Sequence, residues 1–231
     1  MKKRTKVLLL LLSAVLLVVA SVMGTLAYLT SQKTVTNTFT VGNVQITLDE
    51  AKVKGYGTEY ATDHENRVDK NDYFLLPGYT YLKDPTVTVK ENSEDCYVRM
   101  KVQVNGISKL KAAFYTSDYY DNNDPATGVF LLQKLVGGWD ENVWVSSGFD
   151  SETSTYEFRH VGNGTVDKIG YIPKSSSDNV LDDLFETITI PGEVDNEHLE
   201  NLKDVTITVT AEAMQAGGFE NADKAWEKFH P

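Results

Sequence analysis

The 231-residue sequence predicts an all-β fold built as an antiparallel β-sandwich. Short segments in which apolar and polar residues alternate recur along the chain, which is typical of half-buried strands. Turn-forming residues such as Gly, Pro, Asn and Ser separate these segments. Strands arranged in this way favour a sandwich over a parallel sheet with crossover helices.

The strand candidates begin with Val44, Ile46 and Leu48, which share one face after the Gly42-Asn43 turn. The later candidates are the segments DPTVTVKENS, DCYVRMKVQV, ENVWVSS, STYEFRHV, LFETITI and KDVTITVTAEAM. Turns are predicted at Pro77-Gly78, Asn92-Ser93, Gly137-Gly138, Gly162-Asn163-Gly164 and Pro191-Gly192. In DCYVRMKVQV, Cys96 shares a face with the apolar residues, while Arg99 and Lys101 fall on the polar face. We therefore expect Cys96 to be a buried, unreactive thiol.

Helices are expected to be few and short. Residues 108–114 and 128–136 fit either a helix or a strand, whereas residues 195–202 fit a helix with Asp195 as a possible N-cap. Near the end of the chain, residues 220–229 place Ala222, Ala225, Trp226 and Phe229 at helical spacing. A C-terminal helix there would lay Trp226 on the sandwich.

The rest of the chain predicts loops and a single folded domain, residues 39–231. Residues 55–72 and 115–127 are polar, acidic and rich in Asn and Asp, so they are predicted to be exposed loops. We find no internal repeat of fixed period.

The first 27 residues have the pattern of a cleaved signal peptide. A basic region precedes an apolar run from Val7 to Ala20, and Thr25 and Ala27 place small residues three and one positions before a cut. The mature chain would then begin at Tyr28 and be exported. The apolar stretch continues to Leu29, so an uncleaved membrane anchor is the alternative, and it would be the chain's one contact with the membrane.

The charge of the chain argues against two classes of partner. Removal of the four basic residues Lys2, Lys3, Arg4 and Lys6 changes the formal net charge from -11 to -15. Such an acidic protein repels the phosphates of nucleic acids and anionic lipid head groups. Cys96 is the single cysteine, which excludes an intrachain disulfide in a chain expected to be exported.

No catalytic or cofactor motif is present, and we expect neither an enzyme nor a bound metal. His64, His160, His198 and His230 are far apart in sequence and form no HExxH pair. A GxSxG nucleophile motif and a phosphate-binding P-loop are also absent. The LPGYT segment, residues 76–80, resembles a sortase signal but lies in mid-chain, and a Pro-Gly turn explains it better.

Two acidic segments are candidates for calcium sites, which take six to eight oxygen ligands. Neither has the spacing of an EF-hand loop, and solvated acidic loops are the preferred interpretation. The segments contain Asp63, Glu65, Asp69, Asn71 and Asp72, and Asp118, Asp121, Asn123 and Asp124.

Residues 24–48 resemble the start of the TasA/camelysin family of exported Gram-positive proteins, whose signal peptides are cut by a SipW-type signal peptidase. The GTLA motif ending at Ala27, the apolar Tyr28 and Leu29, and the FTVGNVQI segment from Phe39 to Ile46 carry the likeness. Residues 75–104 and 184–229 are similar to later parts of the family's clostridial branch. Residues 106–183 have no such likeness.

The resemblance implies a jelly-roll-like sandwich and assembly into extracellular matrix or biofilm fibres at the cell surface. In well-known members, the segment after the cleavage site adds a strand to the next subunit. Here that segment is residues 28–38, in which Tyr28, Leu29 and Val35 are the expected assembly residues. The implied partners are other copies of the chain, the SipW-type peptidase during export and a minor anchoring subunit.

The sequence leaves two rival functions. A monomeric surface adhesin would bind glycans through the aromatic residues Tyr115, Tyr119, Tyr120, Trp139 and Trp144, although these side chains fit a hydrophobic core better. A camelysin-like metalloprotease is suggested only by the name of relatives, and no zinc motif supports it.

Overall fold

The computed structural model describes residues 39–41, 44–113, 135–192, 194, 202 and 205–229. Within them the chain is mostly β, and the predicted all-β sandwich is confirmed. The strands are β1 (Phe39–Val41), β2 (Val44–Asp49), β3 (Val53–Lys54), β4 (Glu59–Tyr60), β5 (Thr80–Leu82), β6 (Thr86–Val89), β7 (Cys96–Asn105), β8 (Val136–Gly137), β9 (Trp144–Asp150), β10 (Thr155–His160), β11 (Asn179–Val180), β12 (Thr187–Thr189) and β13 (Thr206–Gln215). The helices are α1 (Ile107–Ala113) and α2 (Ala222–Trp226).

Two four-stranded antiparallel sheets form the sandwich. The first has the order β1-β2-β6-β11 and the second has the order β13-β7-β10-β9. Smaller sheets of order β5-β12-β8 and β3-β4 flank them. One continuous apolar core contains the inward residues of both main sheets, among them Ile46, Val87, Met100, Trp144 and Val209.

The predicted strand alternation is confirmed in β2, where Val44, Ile46 and Leu48 are buried. It is wrong in part for β7, because Tyr97 and Arg99 on its outward face are buried as well. The reason is α2, which packs a second apolar cluster, containing Trp226 and Phe229, against that outward face. The first part of β7 is therefore covered on both sides.

The predicted C-terminal helix is confirmed, with narrower bounds. Its N-cap is Asn221, whose side chain accepts a hydrogen bond from the Lys224 amide at 3.0 Å. The helix ends at Trp226, and Phe229 follows it and is also buried. The side chains of Ala222 and Ala225 are buried under the helix, as their spacing predicts.

Of the two ambiguous segments, the first is a helix, since residues 107–113 form α1. Residues 128–134 of the second lie outside the described residues, and its last residue, Val136, forms strand β8 with Gly137 and pairs with β12. Most of the helix predicted for residues 195–202 lies outside the described residues. The segment predicted as an exposed loop, residues 55–72, contains β4 and lies next to β3, with which β4 pairs.

Arg67 ties this loop to the first sheet. Its guanidinium donates to the Asp49 carboxylate, to Asp84 Oδ2 at 3.0 Å and to the Thr86 hydroxyl at 2.8 Å. The planar group can reach these partners together because its donors point in fixed, diverging directions. The loop is therefore held against the ends of β2 and β6.

A charged network lies between β7 and α2. Arg99 donates to Glu212 at 2.6 Å and to Glu157 at 2.9 Å, and its guanidinium stacks 4.2 Å from the centre of the Trp226 ring. Arg159 joins Glu157 to Asp223 of α2, at 2.8 Å and 2.5 Å. Burial raises the pKa of Glu157, but Arg99 and Arg159 outweigh this effect and hold the pKa below its usual value.

Arg99→Met should lower the free energy of unfolding by about 1.5–3 kcal/mol, because it removes the closest partner of the buried Glu212 carboxylate, which keeps Lys101 at 3.1 Å. The double variant Arg99→Met/Glu212→Met should lose less than the two single variants together, since the loss of the Arg99–Glu212 contact is then counted once. Urea unfolding followed by tryptophan fluorescence measures both effects. Additive losses would contradict the coupling.

Candidate assembly site

The predicted cleavage and assembly residues, Thr25, Ala27, Tyr28, Leu29 and Val35, lie outside the described residues. The described chain begins at Phe39, which pairs with Ile46 in the β1–β2 ladder. Strand β1 is at one end of its sheet. The segment 28–38 therefore leads directly into an edge strand.

Strand β13 is the longest edge strand of the sandwich in the described part of the chain. It has ten residues and, among the described residues, pairs only with β7. It also approaches β1 and β2 with Cα atoms within 8 Å, but without a hydrogen-bonded ladder. The free side of β13, which we name the acceptor edge, presents backbone N–H and C=O groups that an added strand can pair.

An open cleft of about 1030 Å³ lies along the first part of the acceptor edge. Its walls come from the end of β2, residues 69–76, β5, α1, β12 and residues 205–209. Most of the lining is apolar and includes Leu48, Tyr81, Leu110, Ile188, Ile190 and Ile207. A cleft of this composition can bury apolar side chains of a bound segment.

A buried ion pair is set into the cleft wall. Lys83 donates to Glu50 Oε2 at 2.6 Å, and the Asn71 amide donates to Glu50 Oε1 at 2.9 Å. The Lys83 ammonium also lies 5.7 Å from the centre of the Tyr73 ring. Burial, together with the charge of Glu50, raises the pKa of Tyr73. Both oxygens of Glu50 are thus satisfied from within the fold.

The rim of the cleft carries exposed aromatic rings. Phe74 lines the cleft and is 59% exposed, and Tyr56 is 63% exposed, with its ring centre 5.2 Å from that of Phe74. Tyr56 has a φ of 66°, between two glycines that also have positive φ. A side chain at Gly57 would collide with Tyr73, since its Cβ would lie 2.3 Å from a ring carbon. The Tyr56 turn therefore depends on glycine at this position.

The side chains of Asp63, Asn71 and Asp72, in the acidic segment 63–72, contact different partners. Asp63 pairs with Lys52 at 2.7 Å, Asp72 pairs with Lys70 at 3.1 Å, and Asn71 bonds to the backbone of Ala51 and Val53. The residues that the structure describes contain no group of three or more His, Cys, Asp or Glu that could hold a metal ion. The second acidic segment, residues 118–124, lies outside them.

The tryptophans considered for glycan binding pack into the interior. Trp144 is fully buried and donates its indole N–H to the Asp182 carbonyl at 2.9 Å. Trp139 packs against the core and donates to the Trp144 carbonyl at 2.7 Å. Tyr115, Tyr119 and Tyr120 lie outside the described residues.

The histidines do not converge in the described structure. His64 is on the surface beside Tyr60, and His160 is buried at the end of β10. His198 and His230 lie outside the described residues. The His160 Nδ1 accepts from the Gly162 amide at 2.9 Å, which places the proton of the neutral ring on Nε2. Nε2 has no hydrogen-bond partner among the described residues, and the ring meets Trp144 edge to face at 4.9 Å.

No match to this chain was found among protein-family models, among curated proteins or among solved structures. In the described ranges, no helix has the length and apolar character needed to cross a membrane.

Sequence reasoning did not find the cleft, because its walls are contributed by segments that are distant in the chain. Residues 69–76 and 205–209 are separated by well over one hundred positions. The apolar run Tyr73 to Leu76, which follows an acidic loop, was the one local signal for it.

Acid should destabilise the fold through His160. Burial lowers the pKa of His160 to about 4, against an opposing effect of Asp182, so the unfolded chain binds this proton more readily. The loss should begin as pH falls below the usual value of 6.5, be complete near 4 and reach about 3 kcal/mol.

The measurement is the free energy of unfolding across this pH window. His160→Asn should flatten the dependence while keeping an acceptor for the Gly162 amide, whereas the surface variant His64→Gln should not. An unchanged slope in His160→Asn would show that another group controls it.

Cys96 should be unreactive in the native protein, because burial, with a smaller effect from Asp95, raises the pKa of its thiol to about 12. An aromatic disulfide reagent at pH 8 should label it only after denaturation in urea. A cysteine introduced by Ser151→Cys, at an exposed position, should react at once in the folded chain. Rapid labelling of native wild type would disprove the assignment.

Proposed function

We propose that the protein is an exported structural protein whose subunits assemble head to tail into extracellular fibres or a surface layer. Each subunit donates residues 28–38 as a strand to the acceptor edge of the next one. The observation that carries the proposal is the position of this edge: a ten-residue strand without a second partner in the described structure, beside an apolar cleft.

The segment and the edge have matching lengths. Eleven extended residues span about 36 Å and the ten residues of β13 about 33 Å, at roughly 3.3 Å per residue. An added strand would pair the open amides and carbonyls of β13, and main-chain pairing of this kind gives affinity without a special sequence. The threonines of the segment suit an extended strand.

Apolar side chains of the segment supply selectivity in this proposal. Leu29 and Val35 are six positions apart, so they project from the same face of a strand. Burying each of them in the cleft contributes about 1.5–3 kcal/mol. The other face, which carries Tyr28, Gln32 and Thr34, faces solvent, so Leu29 and Val35 are the two apolar residues that enter the cleft.

Cleavage after Ala27 is the step that releases the segment in this scheme. The SipW-type peptidase implied by the resemblance would act during export, and the product would be secreted into the extracellular matrix or held at the cell surface. An uncut chain would keep the segment attached to the membrane-embedded apolar run. Assembly would therefore follow export and cleavage.

The test is electron microscopy and sedimentation of a chain that begins at Tyr28 beside one that begins at Phe39. Fibres or large assemblies are expected only from the longer chain, while both keep the same circular dichroism spectrum. Monomers from both chains would refute the proposal. A longer chain that is monomeric but has its segment protected from proteolysis would show insertion into its own cleft.

Point variants separate strand donation from non-specific adhesion. Leu29→Asp or Val35→Asp should abolish assembly, because each places a charge in the apolar cleft. Thr34→Asp introduces the same charge on the opposite face of the segment and is the matched control. Equal loss in all three variants would argue against insertion of one defined face.

A further inference from the structure

The face of the segment that carries the two apolar anchors also carries a positive charge. Leu29, Ser31, Lys33 and Val35 alternate with the other residues and so share one side of an extended strand. If that side enters the cleft, as the proposed function on which this inference rests requires, Lys33 enters with it. An ammonium group in an apolar cleft needs a carboxylate or an aromatic face.

Lys33 is the only charged side chain of residues 28–38. The mature chain carries -15, so residues 39–231 carry -16 once the single charge of Lys33 is taken out. The segment is therefore the one basic extension of an acidic protein. Charge complementarity favours its docking on the acidic body of another copy.

Four carboxylates line the cleft, and three of them have cation partners within the fold. Glu50 pairs with Lys83, Asp49 with Arg67, and Asp72 with Lys70. The fourth, Asp69, has no hydrogen-bond or ion-pair partner in the described structure for its side chain. Its loop is nevertheless fixed nearby, because Asn71 bonds to Val53 and Ala51 at 3.0 Å and 2.8 Å.

Phe74 adds an aromatic face to the same cleft. Its ring is largely exposed although it packs against Tyr56, and the Phe74 amide donates to the Tyr56 carbonyl at 3.2 Å. A lysine ammonium above such a ring gains electrostatic attraction, more so as water is excluded. The same chemistry already occurs deeper in the cleft, where Lys83 lies over Tyr73.

We propose that Asp69 and the Phe74 ring receive Lys33 of the incoming segment and so set the register of the donated strand. A slip by one residue would turn Lys33 to the solvent side together with both anchors. A slip by two residues would keep the face but move the ammonium by about 7 Å, away from its carboxylate. The ion pair therefore selects one register among those that main-chain pairing alone would accept.

Charge exchange in the mature chain tests the contact. Lys33→Glu and Asp69→Lys should each raise the critical concentration for assembly by about tenfold or more, since each sets like charges together. The double variant Lys33→Glu/Asp69→Lys should restore it to within about threefold of wild type, because the opposite charges meet again in exchanged positions. Sedimentation across a dilution series gives the critical concentration.

Asp167→Lys is the matched control, because it makes the same change of net charge at an exposed turn. It should not rescue Lys33→Glu. Phe74→Ser should weaken assembly about tenfold or less while leaving unfolding stability near that of wild type, as its ring is mostly in solvent.

The outcomes separate this inference from the proposed function. A wild-type chain that never assembles overturns both. Assembly that needs residues 28–38 but is unaffected by the single variants, or that Asp167→Lys rescues as well as Asp69→Lys does, overturns the Lys33–Asp69 contact alone. Restoration specific to the exchanged pair supports it.

Discussion

The burial of the first part of β7 on both faces is the constraint on which the rest of the structure depends. Its inward side chains, from Cys96 to Val104, form the centre of the core, while α2 covers Tyr97 and Arg99 on the other side. A charge buried in this way must be paired within the fold. Arg99 of β7 lies directly opposite Glu212 of β13 on one side and directly opposite Arg159 of β10 on the other. The network thereby ties the registers of three strands to one another and to the terminal helix.

This arrangement also shows how far the sequence predicts the fold. Alternation identified β2, β7, β10 and β13 as strands and, in β2 and β7, the face that turns to the core, because side-chain direction in a strand is a local property. It assigned Arg99 and Lys101 to the polar face correctly, but it could not say what covers that face. That face is covered by helix α2, which lies more than one hundred residues later in the chain. A contact over such a distance does not change the alternation of apolar and polar residues within the strand, so the alternation cannot predict it. The order of strands in a sheet also depends on long-range contacts, so the sequence of β13 does not show that this strand lies at an edge.

The two edges of the second sheet differ in a way that matters for association. Strand β9 is shorter, contains Ser146, Ser147 and Gly148, and Ser147 donates to the neighbouring Glu157. Strand β13 is long, contains three threonines, and is bordered by apolar side chains. An edge of the second kind is an aggregation hazard unless a partner covers it or negative charge keeps copies apart. The acidic composition supplies the second protection.

Under the proposed assembly, Leu29 connects export to polymerisation. Before cleavage it continues the apolar run that begins at Val7, and the membrane that holds this run also accommodates the leucine. After cleavage behind Ala27, Leu29 is the second residue of a free, polar segment, and water surrounds its side chain. The cleft then offers the burial that the membrane no longer provides. The same apolar residue would keep the segment inactive inside the cell envelope and make docking favourable outside it, so the order of events would follow from the hydrophobic effect without a separate switch.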